Sequence, residues 1–415
     1  MLRRFAFISQ VSMCSVMVSL AAQSHAADAF STESPYMLGD WNGQRVALKE
    51  QGYDFSLGYT GELANVLDSK NTSSHGTEYS GQVSLGAHLD LNKILGWQDT
   101  EAQMTVTERH GRNLSNTSDA LNGQLSSVQE VWGRGQTWRL TDFWIKRKFL
   151  DQKLDVKVGR FGEAEEFNSF NCDFQNLALC GSQMGNWAGD QWYNWPVSQW
   201  AVRVKYQLQP NLFAQVGAFE VNPENLERGK GFNLSTDGSK GALIPVELVW
   251  QPKLTAAQLP GEYRLGYFYS TADASKLNSQ AQDIANTSAH KQGGWVSVKQ
   301  QLTTHQGDVS RGLTAWANFT FFDDATNAVT NMQNFALSYN GLFDARPQDE
   351  IAVGVGRIHK SAQGYSNEYD AELYYGIHAT NWLTVRPNIQ YVRHVGALKD
   401  GNNAWVGGIK FVTAF

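Results

Sequence analysis

Cysteine is nearly absent from this 415-residue chain, which has three. Proline is scarce, with nine, and only 18% of residues are charged. Beyond the first two dozen residues no run approaches the ~20 apolar residues that a membrane helix needs. There is no linker, no block of like charge and no shift in composition, so nothing divides the chain, although its length would serve two or three ordinary domains. The formal net charge is −6 and becomes −8 without Arg3 and Arg4, which argues against a nucleic-acid partner. The nine histidines are scattered. No G-x-S-x-G, no H-E-x-x-H and no paired-cysteine zinc spacing occurs, so no catalytic residue, metal or cofactor is assigned. An enzyme of the outer membrane remains a distant alternative.

What is present begins with an address. Arg3 and Arg4 precede a mostly apolar, uncharged run over residues 5–22. Ser24-His25-Ala26 then places small residues at −3 and −1, so residues 1–26 read as a cleaved signal peptide. Cys14 leaves with it. An oxidising compartment favours pairing the two remaining cysteines, Cys172 and Cys180, with two free thiols as the other reading.

After this leader the chain alternates. Asp40 caps an expected short helix over residues 41–51, stopped by Gly52, within an N-terminal periplasmic segment, 27–53. From residue 54 to 415, Phe55, Leu57 and Leu63 share one face of a first strand, and Ala102, Met104 and Val106 oppose Thr105, Thr107 and Arg109 in a third. Phe143 and Ile145 oppose Trp144, Lys146 and Lys148. Leu154, Val156 and Val158 oppose Asp155 and Lys157, with Arg160 at the strand's end. About sixteen such segments follow one another, each near the ~10 residues of a tilted membrane strand. Short and long connections alternate, as periplasmic turns and external loops would. The parity of residues 212–221 is not fixed by the pattern. Apolar residues toward lipid and polar ones toward a lumen, at low average hydropathy, predict an all-β fold: an outer-membrane antiparallel barrel. Trp250, Tyr263, Tyr267, Tyr269, Trp382, Tyr391 and Trp405 are candidates for its aromatic girdles.

One stretch, residues 168–200, breaks the alternation. Two cysteines stand eight apart among amides, and Trp187, Trp192, Trp195 and Trp200 fall within fourteen residues. So long a loop with so many aromatics is functional rather than disordered. Flat apolar rings beside amide donors and acceptors suit a sugar, which has C–H faces and a rim of hydroxyls. Asn168, Phe170, Asn176, Trp187, Trp192 and Trp195 are the candidates for such contacts. Packing against the barrel wall is the alternative reading of the tryptophans.

The motifs Cys172-Asp-Phe-Gln-Asn-Leu, Cys180-Gly-Ser-Gln and Trp192-Tyr-Asn-Trp195-Pro-Val-Ser-Gln-Trp200 resemble the carbohydrate-selective porins of the OprB family. Val158-Gly159-Arg160, Gly217-Ala-Phe-Glu-Val-Asn222-Pro223 and Pro245-Val-Glu-Leu follow the same pattern, and the resemblance spans the mature chain. It implies sixteen strands, a loop folded inward to narrow the pore, and passive diffusion of glucose and similar neutral monosaccharides. It also implies basic residues and a carboxylate at the constriction, carried here onto Arg109, Lys146 and Arg160 with Glu62; solvated lumen charge is the other reading of each. Strand parity alone would turn Arg160 toward lipid, unless a bulge or the start of the loop brings it inward. Outer-membrane lipid and sugars are the expected partners, and a homo-trimer or a monomer the expected assembly. A porin for small anions, phosphate or organic acids, is the alternative function.

Overall fold

A computed structural model describes residues 28–70, 76–254 and 257–415. The signal peptide and Asn71, Ser73, Ser74 and His75 lie outside the described residues. Among the described residues there are seventeen strands: β1 (Tyr53–Ser69), β2 (Thr77–Asp90), β3 (Thr100–Gly111), β4 (Trp138–Phe149), β5 (Leu154–Phe161), β6 (Gln199–Gln209), β7 (Leu212–Val221), β8 (Gly241–Trp250), β9 (Lys253–Leu254), β10 (Leu259–Ala274), β11 (Ala289–Gln301), β12 (Gly312–Phe322), β13 (Val329–Asn340), β14 (Glu350–Lys360), β15 (Asn367–Thr380), β16 (Leu383–Arg393) and β17 (Asn403–Ala414). All pair antiparallel with their neighbours, the two-residue β9 only as a short extra ladder with β10, and β17 pairs back onto β1. The result is a closed barrel of sixteen strands. Closure leaves no sheet edge, so every strand's backbone groups are met by a neighbour, as a hydrocarbon environment demands.

The period of two sorts the side chains. Leu85, Met104, Phe143, Val158, Val202, Val355 and Ile409 face outward and are exposed. At the alternate parity Glu62, Lys157, Arg203, Glu372 and Lys410 face inward and are buried. Across the closing seam Glu62 stands in register with Lys410. The expected faces of β1, β3, β4 and β5 are those observed. In β7, Val216 faces out while Phe219 and Val221 face in and are fully covered, so apolar residues on both faces hide the period.

The apolar core lies inside the barrel and is made by two long connections, 112–137 and 162–198, that fold into it. In the first, Leu114, Ala120, Leu121 and Val128 pack on Ala64, Val66, Val392 and Val406 of the wall. In the second, Phe167, Met184, Ala188 and Trp192 pack on Phe219, Leu243, Phe268 and Trp295. Between Phe167 and Met184, Phe174 and Leu179 meet Trp316 and Tyr374. The loop comes so close to the wall at Gly354 that an added Cβ would lie 2.9 Å from Leu179 Cδ1, which explains glycine there.

Both inward segments start from the same rim. The opposite rim carries the shortest turns, at 150–153, 210–211 and 381–382, and the N-terminal residues. Size does not alternate strictly, since 302–311 and 341–349 on that rim are longer than 323–328 and 361–366 on the other. The N-terminal helix α1 (Gln44–Glu50) starts three residues later than the pattern suggests. Trp41 and Asn42 take φ of 58° and 57°, so they turn rather than begin the helix, although Asp40 Oδ1 still accepts from Gly43 N at 3.0 Å. Arg45 of α1 donates to Phe415 O at 2.9 Å and stacks 3.5 Å over the Tyr36 ring, tying this segment to the chain's last residue.

Candidate functional site

The two inward segments leave one polar cavity of about 830 Å³ between them and the strand β1–β3 and β16–β17 wall. Its cations are Arg109, Arg134, Arg386 and Lys410, and its carboxylates are Glu130, Glu165 and Asp173. Two different kinds of support hold the cations. Lys410 Nζ donates to Glu130 Oε1 at 2.8 Å and to the carbonyls of Cys172 and Phe174 at 3.0 Å each. Arg386 Nη2 reaches Asp173 Oδ1 at 3.1 Å. By contrast, Arg134 is held by the carbonyls of Gly189 and Gly185, at 2.9 and 3.1 Å. Arg109 Nε donates to Gln82 Oε1 at 2.8 Å, and its Nη1 reaches Trp132 O at 3.5 Å. Among the described residues no carboxylate is bonded to either of these two guanidinium groups.

The loop that carries this geometry is fixed by carboxylates of the wall. Glu372 on β15 accepts from Gln175 N at 3.0 and 3.1 Å and from Asn176 N at 2.6 Å. Glu247 on β8 accepts from Asn168 N at 3.0 Å and Trp295 Nε1 at 2.8 Å. Glu368, also on β15, accepts from Leu125 N, Ser126 N and Gly396 N. Glu62 Oε2 accepts from Val131 N at 3.2 Å. Backbone donors that a loop inside a barrel would leave unmet are thus answered by side-chain carboxyl oxygens of the wall. At the loop's root, Glu166 bonds Lys157 and Arg203, each at 3.0 Å. These two cations outweigh burial and hold its carboxyl down to about 2. Burial pushes the neighbouring Glu163 up to about 8, with Tyr193 N donating to it at 3.0 Å. Cys172 and Cys180 form a disulfide that closes the turn between them.

A barrel wall, an inward loop and a charged aqueous gap are the parts of a diffusion pore. The family model for carbohydrate-selective porins, the OprB family, matches residues 74–415. The chain belongs to that family. It is a carbohydrate-selective porin of the outer membrane and not an enzyme. Over 96% of its length it is 54% identical to Porin B of Pseudomonas aeruginosa, covering 95% of that protein. It is 38% identical to the putative porin QuiX of Acinetobacter baylyi over 92% of this chain and 94% of that one. The high-pH structure of Pseudomonas putida OprB superposes with a TM-score of 0.89 at 54% identity, covering 94% of this chain and all of the other.

In this OprB-family porin the residues singled out from the sequence fall into three groups. Arg109, Trp195, Cys172 and Cys180 line the cavity. Glu62, Asn168, Asn176 and Trp192 are buried behind it. There Asn168 donates to Ser297 and Asn318, Asn176 to Asp370 and Gln390, and Trp192 packs edge-on against Trp295 at 5.6 Å. Trp187 is partly buried against the same apolar cluster, and Phe170 lies 4.4 Å from Trp316, centroid to centroid.

Lys146 and Arg160 lie away from the cavity. Lys146 faces inward but pairs with Glu101. Arg160 keeps the outward parity of Val158, in register with Phe143 and Trp200. Connection 222–240 covers it there: Arg160 Nη1 donates to Asn233 O at 2.5 Å and Nη2 to Ser198 O at 2.5 Å. Gly159, at φ 142°, does not reverse the alternation. The cavity residues that sequence reasoning missed are Gln82, Glu130, Trp132, Arg134, Asp173, Arg386 and Lys410. Lys410 and Arg386 carried a signal, being cations at inward parity, but the others sit in loops or on a weak polar face.

Proposed function

We propose that the protein admits neutral monosaccharides such as glucose by passive diffusion, through the gap between the two inward segments, with the long-loop rim facing outside and residues 28–52 on the periplasmic side. The observation that carries this reading is the Arg109 guanidinium and the Trp195 ring on one cavity wall, both bonded to Gln82. The planar fork suits adjacent hydroxyls, and the indole suits a C–H face. A cavity of about 830 Å³ holds a monosaccharide with its water. Binding there must be weak, as throughput requires. Arg386 and Asp173 offer a further donor and acceptor across the gap.

Small anions are a second reading, favoured by Arg109 and Arg134, whose bonds go to an amide and to carbonyls rather than carboxylates. Swelling of liposomes that hold the purified protein separates the two. Glucose entering faster than a carboxylate of similar size supports the sugar reading, and the reverse order replaces it with the anion reading.

A further inference from the structure

We propose that Gln82 is a positioning residue, one side-chain oxygen that sets the Arg109 guanidinium and the Trp195 ring in a fixed relation on the pore wall. The inference rests on the reading of the cavity as the sugar path and goes further by naming what gives that path its shape. Gln82 on β2 and Arg109 on β3 are register partners at inward parity. Trp195 arrives from the long loop, 113 residues away in sequence, and donates Nε1–H to Gln82 Oε1 at 3.1 Å. Arg109 Nε–H reaches the same oxygen at 2.8 Å.

Both neighbours are donors only, so the amide must turn its oxygen to them. That oxygen has two lone pairs, and the two bonds use both. Two consequences follow. The Gln82 NH₂ group, on a residue that lines the cavity, is left to donate to a hydroxyl. Arg109 is held through Nε and, at 3.5 Å, through Nη1 to Trp132 O, so Nη2 is the terminal nitrogen left to meet a hydroxyl. Gln82 thus joins a wall cation to a loop ring with no charge of its own. A carboxylate here would hold both partners and cancel part of the Arg109 charge. An apolar side chain would hold neither.

The test compares Q82M and Q82E with the parent protein in planar bilayers, reading the sugar concentration that half-blocks ion current separately from the open-channel conductance. Q82M keeps the volume and loses the acceptor. It should raise the half-blocking glucose concentration by about three- to tenfold, the effect of losing one or two net hydrogen bonds' worth of order, with open conductance changed far less. Q82E restores two acceptors and should stay within about twofold of the parent for glucose, while its salt selectivity moves toward cations. W195F keeps a ring without the N–H, should share part of the Q82M effect, and stands in for Q82M if that variant fails to insert. An unchanged glucose block in Q82M or W195F overturns the positioning role. So does a Q82E protein as impaired as Q82M. If glucose fails to block the parent channel at all, the sugar-path reading falls first, and the inference falls with it. A parent that glucose blocks, and that R109A relieves while Q82M does not, removes the Gln82 inference alone.

Discussion

Replacing Glu372 with alanine should loosen the inward loop without opening the barrel. The carboxylate accepts from Gln175 N at 3.0 and 3.1 Å and from Asn176 N at 2.6 Å, all within the buried interior. Leaving a buried backbone donor without its acceptor costs about 1–3 kcal/mol, and two would be stranded, so roughly 2–6 kcal/mol of docking is at stake. Removal also relieves the cost of keeping a carboxylate buried, which places the expected loss toward the lower end, about 3 kcal/mol. That is on the order of a hundredfold in the local open-to-closed ratio. The wall on either side should stay intact, because Phe174 and Leu179 remain packed on Trp316 and Tyr374, and Lys410 still holds the Cys172 and Phe174 carbonyls. Single-channel recording should therefore show a noisier and larger conductance for Glu372→Ala, and liposome swelling should admit a disaccharide or trisaccharide faster than the parent does. Glu372→Gln keeps one acceptor oxygen and should fall between. A folded, heat-modifiable Glu372→Ala protein with the parent's conductance, noise and size limit would refute the reasoning that wall carboxylates hold the loop.

Three further expectations concern other parts of the loop and rim. Cys172→Ser with Cys180→Ser should increase current noise, since closing this short turn is worth about 2–3 kcal/mol in chain entropy; a non-reduced digest of the parent should yield the linked peptide, and noise unchanged in the double variant would count against the disulfide as a loop constraint. Arg160→Ala should leave the glucose block unchanged while lowering the temperature of heat modification, because it removes the bonds to Ser198 O and Asn233 O under connection 222–240; a shifted glucose block with unchanged heat stability would return Arg160 to the solute path. Burial raises Glu163 to about 8, so its contribution to loop docking is full below the ordinary carboxylate range and is lost as pH rises through about 8, whereas the contribution of Glu166, held at about 2, persists until strong acid. Channel noise should rise as pH climbs from the ordinary carboxylate range to about 8 in the parent and not in Glu163→Gln, and a flat parent profile would contradict the assignment.

Much of the wall could be read from the residues because lipid and lumen impose a strict period of two. β5 shows it cleanly, with Val156 and Val158 against Asp155 and Lys157. The pattern failed at β7 for a physical reason: Phe219 and Val221 face inward to receive Phe167 and Trp192, so the inward face is apolar where a loop packs on it. The same effect separated the loop tryptophans. Composition marked them as a group, but only Trp195 lines the cavity, while Trp192 is buried as a wedge against the wall. Glu62 and Glu372 were legible as lumen carboxylates, yet their partners are loop N–H groups, and no residue type announces a backbone donor from a distant segment. Gln82 had no signal at all. Its place depends on the register of β2 against β3 and on where a loop more than a hundred residues later comes to rest. Arg160 followed its parity, and the attraction of an adjacent loop start was a weaker guide than alternation.

The points that fix the two inward segments lie on β15, β17 and β1 around the closing seam and on β8 across the barrel from it. Lys410 and Glu62 meet only where the last strand joins the first. While that seam is open, these two groups sit at opposite margins of a single sheet, and the cavity wall, which joins β1–β3 to β16–β17, does not exist. Discrimination among solutes therefore cannot be acquired strand by strand during assembly. It appears in one event, when the two ends of the sheet come together, and a barrel that lost this seam would lose its sieve at the same moment.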